Sequence, residues 1–248
     1  MHSNEVAAHY ENLLAEHYTW MFGADFADLV RAQRDLLAGL GIRPEGEPSA
    51  ALDLGCGSGV HSVALAELGF AVTGVDVSET LLAELADRAH PRVRGVHADL
   101  RDGLAGLAEP GTVQVVTCMG DTLPHLPDED AVRRLLAESF ALLAPGGRIV
   151  LTFRDLSVRL AGLDRFLPVR GDQDRVMTCF LEDEGEHVRV HDLVHVRTGS
   201  GWELRKSSYR KLRLSPGQIA GLLADIGFRV AEPVAAERGM WVVAAQRP

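Results

Sequence analysis

Three carboxylates stand where a parallel sheet would present them to a ligand: Asp53 in "LDLGCGSGV", Asp76 in "AVTGVDVS" and Asp99 in "VHADL". The first runs at once into Gly55, Gly57 and Gly59. Backbone at such a turn can approach a ligand closely because side chains are missing, and glycine tolerates the positive φ a strand-to-helix turn needs. The helix that follows offers free N–H groups, which dinucleotide enzymes use to cradle a pyrophosphate with the spelling GxGxxG. Here the third glycine comes one residue early, and Val60 stands where that spelling has glycine. Asp53 either caps the turn or accepts hydrogen bonds from a cationic or neutral ligand, and it would repel a pyrophosphate. Asp76 falls where a doubly wound sheet sets a carboxylate against both hydroxyls of a ribose. Asp99 can accept the amino group of an adenine or cap a short helix. With no phosphate-binding lysine and no GxxxxGK, the set describes a nucleoside ligand without phosphates.

The elements that must position these acids are legible from Ala50 onward. Short apolar runs, "ALDL", "AVTGVD", "VRGVHAD", "VQVVTCM" and "GRIVLTF", alternate with helical stretches at 59–68, 78–89 and 128–143. Parallel neighbours need crossovers, usually helical, so this pattern predicts a doubly wound, Rossmann-like α/β fold. Residues 5–40 read as helical, and "GIRPEGEPSA" as a loop. After Phe153 the pattern changes. Residues 175–198 alternate apolar and polar around a "DEGE" turn, which predicts a hairpin, with a third strand over Trp202–Leu214. "SPGQIAGLLADIGF" predicts a helix with a Ser cap and a Gly stop, followed by two final strands in "RVAEPV" and "MWVVAAQ". The expectation is a mostly parallel seven-stranded sheet with an antiparallel β insertion after its fifth strand.

Composition narrows the function. The 248 residues carry a net charge of -10, which disfavours a protein that works by neutralising phosphates along a nucleic acid. It disfavours an anionic membrane surface as well, and no stretch approaches the roughly 20 apolar residues that cross a bilayer. Residues 1–150 hold more than twice as many acids as bases, whereas 151–213 hold slightly more bases. The opening "MHSNEVAAHYENL" shows no signal core, so a cytoplasmic location is expected. Cys56, Cys118 and Cys179 are too scattered for a disulfide framework or a zinc site and read as reduced core thiols. His187, His191 and His195 recur every four residues, but on a strand that spacing spans about 13 Å, too far for one metal ion. No metal is expected.

S-adenosylmethionine is the common cofactor that is a nucleoside without phosphates. In "DLGCGSG", "GVDVS" and "HADL", in that order, and in "LLAPGGRIVLTF", the chain resembles the class I S-adenosylmethionine-dependent methyltransferases. The resemblance covers most of residues 50–160. It implies that Gly55, Cys56, Gly57 and Gly59 line the methionine part of the cofactor, with Asp53 near its amino group. It further implies Asp76 and Val77 at the ribose, Asp99 and Leu100 at the adenine, and Met119 beside them. S-adenosylhomocysteine would be the product.

More narrowly, "CMGDTLPHLPD" is similar to the corresponding stretch, CxGNSxxHLPD, of glycine N-methyltransferases and their small-molecule relatives. Asp121 takes the place of their substrate-contacting Asn, which disfavours glycine itself but suits an ammonium or a hydroxyl. His125 matches their His. Arg154 in "TFRD" matches an Arg that grips a substrate carboxylate, and "KSSYRKLRLSP" makes Tyr209 a substrate contact. The aromatic N-terminal segment is similar to a lid that folds over the cofactor, which places Tyr10 and Tyr18 on the cofactor and Trp20 at the substrate. By this resemblance residues 1–45 form a helical lid, 46–155 the cofactor-binding core, 156–214 a substrate-side insertion, and 215–248 the last helix and strands.

The resulting expectation is methyl transfer to a small molecule, by preference to an amine of an amino-acid-like or natural-product compound. O-methylation with Asp121 or His125 as general base is the alternative. A dinucleotide oxidoreductase is disfavoured by Val60, and a non-catalytic S-adenosylmethionine-binding module is the rival from another class. Exposed strands in the insertion leave room for a homo-oligomer.

Overall fold

The computed structural model describes residues 5–46, 49–88 and 90–248. Residues 1–4 of the expected lid, 47–48 of the loop before the first strand, and Ala89 at the end of an expected helix lie outside the described residues.

The N-terminal segment is helical but not continuous. α1 (Glu5–His9) passes through a π turn at Tyr10–Leu14 into α2 (Ala15–Met21), and α3 (Phe26–Gly39) follows. The break falls at Gly23, whose φ of 73° no helix accommodates. The core then alternates β1 (Ala50–Leu54), α4 (Val60–Glu67), β2 (Ala71–Asp76), α5 (Glu79–Asp87), β3 (Val93–His97), β4 (Val113–Cys118), α6 (Glu129–Leu142) and β5 (Leu143–Arg154). The insertion comprises β6 (Phe166–Gly171), β7 (Arg175–Glu184), β8 (His187–Thr198) and β9 (Gly201–Leu212). α7 (Pro216–Ile226), β10 (Arg229–Val230), β11 (Val234–Ala235) and β12 (Met240–Gln246) close the chain.

The main sheet runs β10-β12-β5-β4-β1-β2-β3, with β11 paired to β12 off this path. β1 to β5 are mutually parallel, and β12 is antiparallel to β5. The seven expected strands are thus all present, and "RVAEPV" contributes two short strands rather than one because Pro233 interrupts it. Successive residues of each central strand face opposite layers and both are buried, as a sheet covered on two sides requires. Leu52, Val116 and Leu151 pack with Leu136 of α6 and Leu222 of α7. Ala51, Val115 and Val150 pack with Leu37 of α3 and Leu65 of α4. Ser78, Asp128 and Ser215 cap their helices by accepting from Leu81, Ala131 and Gln218 backbone N–H groups.

Strand order reverses between β1 and β4, so their carboxyl ends diverge and leave a crevice. The second sheet, β6-β7-β8-β9, is antiparallel throughout and roofs that crevice. β6 is a strand the pattern did not predict. Its "FLPVRG" is exposed, does not alternate and contains Pro168, which an edge position tolerates. Among the described residues no helix is long and apolar enough to cross a membrane.

Candidate active site

The glycine turn after β1 is held by its neighbour strand: the N–H groups of Gly55 and Cys56 donate to the Val75 carbonyl at 2.8 and 3.0 Å. Gly55 and Gly57 have φ of 72° and 53°. A Cβ at Gly55 would lie 2.3 Å from Thr122 Cγ2, and one at Gly57 would lie 3.2 Å from the Tyr18 ring, so both positions are closed to side chains.

A cavity sits over this turn, lined by Gly55, Gly57, Asp76, Val77, Asp99 and Leu100. Asp76 projects from the end of β2, with Oδ2 accepting from the Gly57 N–H at 2.8 Å and Oδ1 from the Ser78 N–H at 2.9 Å. Burial pushes its carboxyl above the ordinary aspartate value, against the pull of those two N–H groups. A ligand that offered hydroxyl donors would relieve that burial. Asp99 caps the short turn after β3 and is clasped by Arg101, whose Nη2 donates to Oδ2 at 2.6 Å. Among the described residues, the one cation lining this cavity is therefore engaged by an acid. The wall suits an uncharged sugar and purine and does not suit a polyphosphate.

Tyr10, Tyr18 and His125 line this cavity and also a second one, of about 670 Å³, beneath the insertion sheet. The N-terminal helices carry both tyrosines between the two. Glu11 ties the helices to the core by accepting from the Ser78 and Thr80 hydroxyls at 2.5 and 2.9 Å. His9 ties them to the roof through Asp192 Oδ2 at 2.9 Å. Burial, reinforced by nearby carboxylates, pushes both phenols well up, so they stay neutral.

The second cavity holds Asp121, Arg154, Tyr209, Lys211 and Asp192 on walls of Leu14, Met177 and other apolar side chains. Asp121 adopts a φ of 75°, the single positive value found at a non-glycine among the described residues. Its Oδ1 accepts from the Arg154 backbone N–H at 2.9 Å, and Oδ2 accepts from Arg154 Nη1 at 3.0 Å and Lys211 Nζ at 2.5 Å. Burial works to raise its carboxyl, but the two cations outweigh it and hold Asp121 below the usual range. His125 is pushed down to about 3 by burial and by the Lys211 charge, and is neutral at physiological pH. Its ring stacks against Tyr209, with centroids 5.2 Å apart.

Five residues expected in the site line neither cavity. Asp53 is fully buried beneath the turn, where its oxygens accept from the Ser62 and Thr117 hydroxyls at 2.6 and 2.8 Å. Gly59 begins α4 and packs on Leu85. Cys56 and Met119 are core residues. Trp20 turns toward the insertion edge, where it donates to Asp172 at 2.6 Å between the Arg170 and Arg175 guanidinium groups. Cys179, expected as a core thiol, instead lines the second cavity. His187, His191 and His195 share one face of β8, and among the described residues no cluster could hold a metal.

Asp192 and Lys211 were not singled out from the sequence. The signal was present: Val188, Val190, Asp192 and Val194 form the buried face of β8, and an acid on such a face needs a reason. Lys211 likewise shares the buried face of β9 with Tyr209.

Residues 51–147 match the model of a methyltransferase domain family. That segment is similar to this family over about two fifths of the chain. A ubiquinone biosynthesis O-methyltransferase from Pseudomonas aeruginosa is 41% identical over 104 residues, 41% of this chain and 42% of that protein. The match thus spans about two fifths of the length of such curated relatives. Among solved structures, the CcbJ methyltransferase from Streptomyces caelestis superposes with a TM-score of 0.75 at 23% identity, covering 96% of this chain and 97% of that one. A SAM-bound amino pentose methyltransferase from Micromonospora echinaspora, involved in calicheamicin biosynthesis, gives 0.73 at 22% identity, covering 94% and 96%. At this identity the likeness concerns the fold, and it extends over the insertion as well as residues 51–147.

The displaced titration of His125 has a measurable consequence. Below the ordinary imidazole value near 6.5 the unfolded chain takes up a proton here that the folded chain refuses until about pH 3. Stability therefore falls as pH drops through that window. His125→Phe is expected to lose about 1–2 kcal/mol less than the wild type between pH 7 and pH 5, measured by urea unfolding. Equal losses would refute the assignment.

Proposed function

We propose that the protein transfers a methyl group from S-adenosylmethionine to an amine nitrogen of a small molecule held in the second cavity. The observation that carries this reading is Asp76, anchored by two backbone N–H groups in an acid-lined cavity that shares Tyr10, Tyr18 and His125 with the larger one. When bound, S-adenosylmethionine supplies a sulfonium methyl, which the acceptor lone pair captures as the C–S electron pair returns to sulfur to give S-adenosylhomocysteine. Asp76 and Val77 would hold the ribose, Asp99 and Leu100 the adenine, and the Gly55–Gly57 turn the methionine part. The lid tyrosines exclude water from the junction of the two cavities.

The state of the acids favours nitrogen over oxygen. A hydroxyl usually needs a general base, whereas an amine has only to arrive unprotonated. Asp121 is engaged by two cations, and His125 is a base only near pH 3, so neither suits that task at neutral pH. The O-methyltransferase relatives do not weigh against this, because the family match ends at residue 147, before the insertion that lines the acceptor cavity. Arg154, whose side chain is 46% exposed, spends Nη1 on Asp121 and has further donors for an acid group on the acceptor. An amino-acid-like compound, as in the glycine N-methyltransferase resemblance, fits this arrangement.

Incubating the protein with methyl-labelled S-adenosylmethionine and a metabolite extract should place label on an amine, read by mass spectrometry. Label on oxygen, or none on any compound, would overturn the reading. Once an acceptor is known, Arg154→Ala should raise its KM about tenfold with S-adenosylhomocysteine affinity unchanged. An equal loss in both would move Arg154 from acceptor binding to cofactor binding or folding.

A further inference from the structure

The second cavity contains two carboxylates in opposite circumstances. Asp121 is engaged by Lys211 and Arg154 and has no negative charge left over for a ligand. Asp192 is only 1% exposed as a residue, yet it lines the cavity. Its partners, His9 and Cys179, carry no fixed positive charge: Oδ2 meets His9 Nε2 at 2.9 Å, and Oδ1 accepts from the Cys179 thiol at 2.7 Å. A buried carboxylate without a permanent cation is costly, and a cationic or N–H-bearing ligand group would offset that cost. A second observation lies directly behind it. His9 is 1% exposed, and its Nδ1 is buried with no hydrogen-bond partner. The His9 ring stacks on Tyr209 at 4.3 Å, and Tyr209 stacks on His125, so the pair belongs to the aromatic wall that joins the two cavities.

We propose that Asp192, backed by His9, is the binding point for the basic amine of the acceptor. The claim rests on the proposed function and deepens it, since it assigns the acceptor a basic amine at Asp192 and leaves Arg154 for an acid group of the acceptor. The cavity thereby holds both signs: Asp192, met by a histidine and a thiol, selects an N–H donor, and the two cations on Asp121 reject a second one there. His9 supplies the hydrogen bond that keeps Oδ2 aligned. It is a positioning residue.

The test uses three probes of one shape, cyclohexylamine, cyclohexanol and cyclohexanecarboxylate, with the full chain saturated with S-adenosylhomocysteine. Binding is followed by isothermal titration and by the imidazole signals of 15N-histidine-labelled protein, with His9 assigned from His9→Gln. The amine is expected to bind at least about tenfold tighter than the alcohol and to shift the His9 signals, as a charge-assisted bond to Asp192 requires. In Asp192→Asn that preference should vanish while the alcohol binds within about twofold of the wild type. An amine that leaves the His9 signals of the wild type unmoved would overturn the proposal, whether or not Asp192→Asn folds. So would an unchanged preference in that variant. Failure of the wild type to bind S-adenosylhomocysteine would instead count against the proposed function itself.

Discussion

Asp76→Ala is expected to weaken S-adenosylhomocysteine binding by about 100-fold or more, measured by isothermal titration. The carboxylate lies at the end of β2, and a ribose there would take two charge-assisted hydrogen bonds worth about 1.5–3 kcal/mol each. Two such bonds correspond to at least about two orders of magnitude in affinity. The substitution also frees the Gly57 and Ser78 N–H groups from their partner, so the glycine turn loses the anchor that shapes it. Asp99→Ala should cost less, because Asp99 is already clasped by Arg101 and must give up part of that pairing to meet an adenine. Wild-type affinity in Asp76→Ala would remove the ribose site, and with it the main support for a nucleoside cofactor.

Asp121→Ala is expected to destabilise the protein by about 3–5 kcal/mol, the usual cost of breaking a buried ion pair by removing one partner. Lys211, with a side chain only 10% exposed, would be left as an uncompensated charge. The backbone adds to the loss, since aspartate is among the few residues that adopt a φ near 75° with little strain and alanine is not. The double variant Asp121→Ala with Lys211→Met should recover much of the loss by removing the stranded cation, although the backbone strain stays. Urea unfolding at pH 7 measures both variants. A single-variant loss below about 1 kcal/mol, or no recovery in the double variant, would show that the pair does not bear on stability.

The same residue illustrates how the sequence and the fold divide the work. Asp121 and His125 were visible as a pair in "GDTLPH", yet their chemical states were not. Nothing local to that stretch places Lys211 against Asp121, because the lysine arrives from β9, 90 residues further along the chain. Whether either residue suits the part of a base cannot be read from that stretch, since a pKa depends on what the fold brings near a group and how much water it removes.

The glycine turn, the acids at three strand ends and the alternation of strands with helices follow from the chain alone. Each is a local requirement: positive φ at a turn, a polar side chain where a strand stops, apolar residues on both faces of a covered sheet. The hairpin at "DEGE" belongs to the same class, whereas the break of the N-terminal helix at Gly23 does not, since residues 5–40 read as helical throughout. The direction each side chain faces was decided only by tertiary packing. Asp53 turns inward to Ser62 and Thr117, and Trp20 turns away to Asp172. His9 reaches Asp192 across 183 residues of chain, because α1 packs on the insertion sheet. Periodicity places a residue on a face of its own element, but which face meets the cavity depends on the neighbour that covers the other one.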